Sequence, residues 1–182
     1  MSPALSERLR SIGCPGEHVG ANSHHITMLY LGKGVPLHTL GGAIEIAAPI
    51  MDRTPPFEVV VREVSYFPEN PDDKPGHPII AKVLSPALMK LRAQLARAFD
   101  AGGVPFSKKF PDYQPHITLS YSPTPYEITL DEPIVGTVDS TTLWGGDSQD
   151  DLLQVRFKLS DDPPKLGVVE SLEAEVRDLL TS

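Results

Sequence analysis

The chain has 182 residues, a formal net charge of −8, 40% hydrophobic residues and 22% charged residues. That length suits one ordinary domain or two small lobes sharing a core, and the composition is globular rather than disordered. The acidic balance excludes a protein that coats long double-stranded nucleic acid, which needs a broad basic surface. A small anionic ligand stays open, because a few local cations such as Lys33, Lys108 and Lys109 can hold one or two phosphates.

Cys14 is the single cysteine, so no intramolecular disulfide can form. The opening MSPALSERLR lacks the apolar stretch of a signal peptide. No apolar run approaches the roughly 18 residues needed to span a bilayer. The expectation is a cytoplasmic protein with no membrane partner. The 19 prolines and 14 glycines point to many turns and a mixed fold.

In chain order, Ala4 to Ile12 reads as a short helix, ended by Gly13, Pro15 and Gly16. SHHITMLYLGKG follows as a strand-like run closed by Gly32 and Gly34. Leu37 to about Met51 is apolar at helical intervals, although Gly41 and Gly42 weaken it as a helix. PFEVVVREVSYFP is rich in Val and aromatics and reads as a strand. ENPDDKPGHP is a loop, and IIAKVL is a buried strand. The clearest helix starts at Ser85, a capping residue, with Pro86 at its first position. Leu88, Leu91, Leu95 and Phe99 line one face of it, and Gly102-Gly103 ends it. QPHITLSY is a second strand-like run, followed by strand candidates VGTVDSTTLWG and DLLQVRFKL. Val168 to Leu180 reads as an acidic amphipathic helix.

The order repeats weakly. A strand-like run holding His-x-Thr occurs in each half, as HITMLY and HITLSY, with helix and Val-rich strand between. This predicts one α+β domain over 1–182, built as two lobes of antiparallel sheet plus helix around a central cleft. One motif is expected in each lobe.

Side chains alternate faces along a strand. His25 and Thr27 therefore share a face, as do His116 and Thr118, with Ile26, Met28, Ile117 and Leu119 opposite. Two imidazoles and two hydroxyls in one place suit phosphodiester cleavage. One histidine takes a proton from the attacking oxygen and the other gives one to the leaving oxygen. The hydroxyls hold the non-bridging oxygens as charge builds on phosphorus. Composition alone yields about a third of one His-x-Thr triplet by chance. Two copies, both reading H-I-T in strand-like runs, exceed that expectation.

HITMLYLG and PHITLSY resemble the two signature motifs of the 2H phosphoesterase superfamily, which includes the LigT-like RNA 2′,3′-cyclic phosphodiesterases. The resemblance spans roughly Gly13 to Leu159 in element order and is specific around the motifs. It implies a bilobal α+β LigT-like fold, catalytic roles for His25 and His116, and phosphate-binding roles for Thr27 and Thr118. FPDYQPHITLSYSPTPYEI resembles a bacteriophage branch that includes anti-CBASS nucleases, which destroy the cyclic nucleotide signals of bacterial immunity. The implied substrate is a cyclic nucleotide, a 2′,3′-cyclic phosphate or a short oligonucleotide. The implied location is the host cytoplasm. One departure concerns the usual N-terminal strand of the family. Here the residues before His25 read as helix then loop.

His24 faces away from His25 and is expected at the surface or behind the site. A zinc site from His25, His116 and Asp112 lacks typical ligand spacing, so no metal or other cofactor is assigned. Lys108 and Lys109 are candidates to steer a phosphate. Tyr30, Tyr66, Phe67, Tyr113 and Trp144 are candidates to stack on a base, with Tyr113 and Trp144 preferred. His18, His38 and His77 sit in no motif. The alternative to an enzyme is a nucleotide- or RNA-binding module, or a phage structural protein, with the same fold.

Overall fold

The computed structural model describes residues 3–20, 23–32, 34–70, 74–109, 112–145 and 153–160. Lys33 and the expected helix from Val168 to Leu180 lie outside them. In chain order the elements are α1 (Pro3–Arg10), β1 (Glu17–His18), α2 (Leu37–Met51), β2 (Phe57–Tyr66), β3 (His77–Leu84), α3 (Pro86–Gly102), β4 (His116–Ser122), β5 (Ile128–Val138), β6 (Ser140–Gly145) and β7 (Leu153–Lys158). They divide between two compact units. The first comprises Met1–Tyr30, Phe57–Arg92 and Lys108–Val138; the second comprises Leu31–Pro56, Ala93–Ser107 and Asp139–Ser182. The sequence pattern placed one motif in each lobe. Both motif segments fall in the first unit.

The first unit is built on a five-stranded sheet in the order β1-β4-β3-β2-β5, with every neighbouring pair antiparallel. Phe57, Val59 and Val61 are buried, and then the alternation changes phase, with Val64 the next buried apolar residue. A bulge between Val61 and Glu63 causes the change. One extra residue reverses which side chains face the core. In β3 and β4, Ile79, Ala81, Val83, Ile117 and Leu119 are likewise nearly inaccessible.

A short strand, β1, precedes the first motif. It is only Glu17 and His18, paired with Tyr121 and Ser120 of β4. Gly16 makes this approach possible. Its φ is +95°, and a Cβ there would run into the Tyr121 carbonyl.

The clearest helix forms as its sequence directs. The Ser85 hydroxyl accepts from the Leu88 N–H at 3.3 Å and donates to the Glu58 carbonyl at 2.7 Å. It thus caps α3 and ties the cap to β2. Leu88, Leu91, Leu95 and Phe99 are all buried along one face.

The second unit holds α2 and a two-stranded antiparallel sheet of β6 and β7. Leu40, Ala43, Ile44, Ala47, Ile50 and Met51 form the buried face of α2. The expected single strand from Val135 to Gly145 is in fact two, parted at Asp139, with β5 and β6 in different sheets. Both halves have strand-like residues, so local pattern cannot reveal the break. β5 also begins earlier than expected, running through Asp131, Glu132 and Pro133. Those residues fall where β5 skips from Thr129 to Ile134 in its pairing with β2. A sheet edge with an irregular register tolerates proline and charge.

Candidate active site

β4 starts at His116, and its side chains divide as the alternation predicts. Ile117 and Leu119 are buried, while His116 and Thr118 are only partly covered. The His116 Nδ1–H donates to the Gln114 carbonyl at 2.8 Å. A carbonyl can only accept, so the neutral ring carries its lone pair on Nε2. Phe67 packs edge-on against the same imidazole, with ring centroids 4.8 Å apart and planes at 89°. Burial holds the His116 pKa below the ordinary histidine value; the Gln114 hydrogen bond opposes this, and the nearby charge of His25 adds to it.

The first motif differs from expectation in its backbone. His25, Ile26 and Thr27 lie in an irregular segment, not a regular strand. Their exposure still alternates, with His24 buried, His25 and Thr27 exposed, and Ile26 and Met28 partly covered. The reason is where the carbonyls go. Tyr113 donates its hydroxyl to the Thr27 carbonyl at 2.9 Å. Arg92 Nε donates to the Met28 carbonyl at 3.2 Å. Side chains from α3 and from the approach to β4 thus satisfy backbone groups that a neighbouring strand would otherwise pair.

His25 repeats the tautomer arrangement of His116. Its Nδ1–H donates to the Ser23 carbonyl, two residues upstream, at 2.7 Å. Each imidazole is thus anchored by the carbonyl two positions before it. His24 is buried rather than at the surface, at 6% exposure. Its Nδ1 has no hydrogen-bond partner among the described residues. Burial lowers its pKa, and the charges of Arg10, His25 and His18 lower it further.

Tyr113 links the two motif segments. Its hydroxyl is engaged by Thr27, and the Arg92 guanidinium lies 4.2 Å from its ring centroid. Burial raises its pKa to about 12, against the opposing effect of Arg92. The hydroxyl therefore stays protonated and donating. Trp144 lies on β6 in the second unit and is half exposed. Lys108 and Lys109 are exposed in the segment leading to Tyr113. Arg92 carried no sequence signal, since its partners Met28 and Tyr113 are distant along the chain. Among the described residues no group of three or more His, Cys, Asp or Glu is placed to hold a metal ion. His25, His116 and Asp112 do not form such a group.

The profile of the 2′-5′ RNA ligase superfamily matches residues 4–161. The chain belongs to that superfamily. This is the 2H phosphoesterase family that the paired motifs resemble. A curated relative, the anti-CBASS protein Acb1 of Vibrio phage KVP40, is 33% identical over 97 residues. That match covers 53% of this chain and 50% of the relative, so the chain spans about half the length of the curated relative it matches. A crystal structure of a phosphoesterase has a TM-score of 0.63 at 19% identity, covering 88% of this chain and 95% of that one. E. coli LigT complexed with 3′-AMP has a TM-score of 0.60 at 18% identity, covering 88% and 94%. A Thermus thermophilus protein, TT0787, has a TM-score of 0.53 at 20% identity, covering 86% and 90%. The expected α+β LigT-like fold is thus the fold of this superfamily member. No helix among the described residues is long and apolar enough to cross a membrane.

Proposed function

We propose that this chain is a metal-independent phosphodiesterase acting on a cyclic nucleotide, a 2′,3′-cyclic phosphate or a short oligonucleotide. The observation that carries the reading is the matched pair of anchored imidazoles, His25 on Ser23 and His116 on Gln114. Binding alone does not require two rings each held through Nδ1. Cleavage uses that arrangement, because one Nε2 must accept a proton while the other, on an imidazolium, donates one.

His116 is the base in the cleavage direction, since burial keeps it neutral. Its Nε2 takes the proton of a ribose 2′-hydroxyl or a water as that oxygen attacks phosphorus. His25, on the exposed segment, gives its Nε2 proton to the departing oxygen. The Thr27 and Thr118 hydroxyls donate to the non-bridging oxygens, where charge increases in the transition state. Tyr113 and Arg92 hold the Thr27 and Met28 carbonyls, and so hold the His25 segment against the rest of the site.

The anti-CBASS relative and the LigT complexes with 3′-AMP, ATP and NADP+ support a small nucleotide substrate. The anti-CBASS relative alone supports a role in phage counter-defence against cyclic nucleotide signalling, in the host cytoplasm. The test is a panel of cyclic di- and trinucleotides, 2′–5′ oligoadenylate and 2′,3′-cyclic nucleotides, followed by chromatography with and without a strong chelator. Product from at least one substrate, formed equally in chelator, is expected. Binding without product across the panel would make the protein a nucleotide-binding module. Turnover lost in chelator and restored by one divalent ion would make it a metallophosphoesterase.

A further inference from the structure

The face of the sheet that carries His116 does not end at β4. His116 stands opposite Lys82 of β3, Lys82 opposite Glu63 of β2, and Glu63 opposite Thr129 of β5. Residues directly opposite in an antiparallel sheet project from the same face. These four therefore form one polar row that begins at the catalytic histidine. The β2 bulge creates it. Without the extra residue after Val61, Glu63 would take its place on the core side with Phe57, Val59 and Val61.

The far part of the row opens into a pocket of about 340 Å³, lined by Glu63, Val64, Lys82, Glu127, Ile128 and Thr129. Lys82 Nζ lies 3.1 Å from a Glu63 carboxylate oxygen, with both side chains about half exposed. A pair so exposed contributes little to stability, so its cation can be diverted at small cost. The flexible four-carbon stem of lysine lets the ammonium turn from Glu63 toward His116, one strand away. Glu127 accepts the Ser65 hydroxyl at 2.6 Å, which orients the carboxylate and leaves it further acceptor capacity. The pocket thus offers one mobile cation beside the reacting centre. Beyond it stand two carboxylates and a hydroxyl.

That set fits a nucleotide, not a bare anion. We propose that this pocket is a subsite for the nucleotide flanking the scissile phosphate. Lys82 pairs with that nucleotide's own phosphate, and Glu63 and Glu127 accept hydrogen bonds from its sugar hydroxyls or base amino group. The inference rests on the phosphodiesterase reading and sharpens its substrate class. Ligands with a second phosphate use the subsite, whereas 2′,3′-cyclic mononucleotides do not reach it.

The test is calorimetric binding in a His25→Ala background, which slows turnover about a hundredfold or more. The two probes are a 3′–5′ cyclic dinucleotide of adenine and adenosine 2′,3′-cyclic phosphate. Lys82→Met keeps the apolar stem and removes the charge. It should weaken the dinucleotide about tenfold or more and leave the mononucleotide within about twofold, with Lys82→Arg recovering most of the loss. Equal weakening of both ligands, unchanged binding of both, or binding of the mononucleotide alone would overturn the subsite and leave the phosphodiesterase reading standing. If the His25→Ala protein binds neither ligand while the parent cleaves neither, the nucleotide reading itself fails, and the subsite with it.

Discussion

Tyr113→Phe isolates one hydrogen bond that joins the two motif segments. The substitution keeps the ring, and with it the 4.2 Å contact to Arg92, and deletes only the hydroxyl that reaches the Thr27 carbonyl. A neutral hydrogen bond contributes about 1 kcal/mol to stability, and an exposed carbonyl regains water when its partner is lost. The stability cost therefore belongs at the low end, with a fall in Tm of only about 2 °C. Turnover should suffer more. Thr27 sits in an irregular segment with no strand to hold it, and a small displacement of a phosphate donor is amplified in the transition state. We expect kcat to fall about tenfold, below the full cost of losing the Thr27 donor itself. The assay is single-turnover cleavage of Tyr113→Phe, Thr27→Val and the double variant, with circular dichroism to verify folding. Because Tyr113 acts through Thr27, the double variant should be little worse than Thr27→Val. Paired with Thr118→Val, the Tyr113→Phe effect should simply multiply. Unchanged kcat in Tyr113→Phe, or a multiplied effect with Thr27→Val, would refute the positioning role. If Tyr113 instead stacked on a base, Tyr113→Phe would be silent and Tyr113→Leu would raise KM.

His25→Ala and His116→Ala should each lower single-turnover cleavage about a hundredfold or more, and the double variant should be little worse than the weaker single, because the pair acts as a unit. A folded, fully active single variant would break the shared-site reading. The rate should be bell-shaped in pH, with its acid limb below the ordinary histidine value of 6.5, because burial lowers His116. Phe67→Ala should move that limb upward by letting water reach the ring; a limb that does not move would remove Phe67 from the cause. Stability should also fall in acid. His24 and His116 both have folded pKa values below 6.5, so the contribution is complete above that pH and is lost as pH falls through their folded values. Thermal melts should show Tm level near neutrality and falling below it. His24→Leu should flatten the fall, and an unflattened profile would count against His24 as a source.

Much of the fold was legible because its causes are local. The Ser85-Pro86 start and the leucine stripe of α3 depend on residues within a few turns of each other, and both stand as the sequence reads. The same holds for α2, whose apolar intervals outweighed Gly41 and Gly42. The His116 strand alternates as its residues predict from His116 to Leu119, with Ile117 and Leu119 on the core side. The repeated H-I-T likewise identified the candidate chemistry, since acid–base capacity and hydroxyl donors are properties of the side chains themselves.

Where those side chains are held was a different matter. HITMLY has the alternation of a strand, but a strand needs a partner, and its Thr27 and Met28 carbonyls go to Tyr113 and Arg92 instead. Those contacts join residues separated by 86 and 64 positions, beyond any local period. The break at Asp139 was invisible for the same reason: strand-like residues lie on both sides, and only the choice of partner assigns them to two sheets. The β2 bulge, which turns Glu63 to the side of His116 and Lys82, follows from register across three strands. Local sequence thus determined which groups were available and which elements most of them ride on. Tertiary structure decided which groups meet, because hydrogen-bond partners and sheet register are set between segments and leave no periodic trace within either.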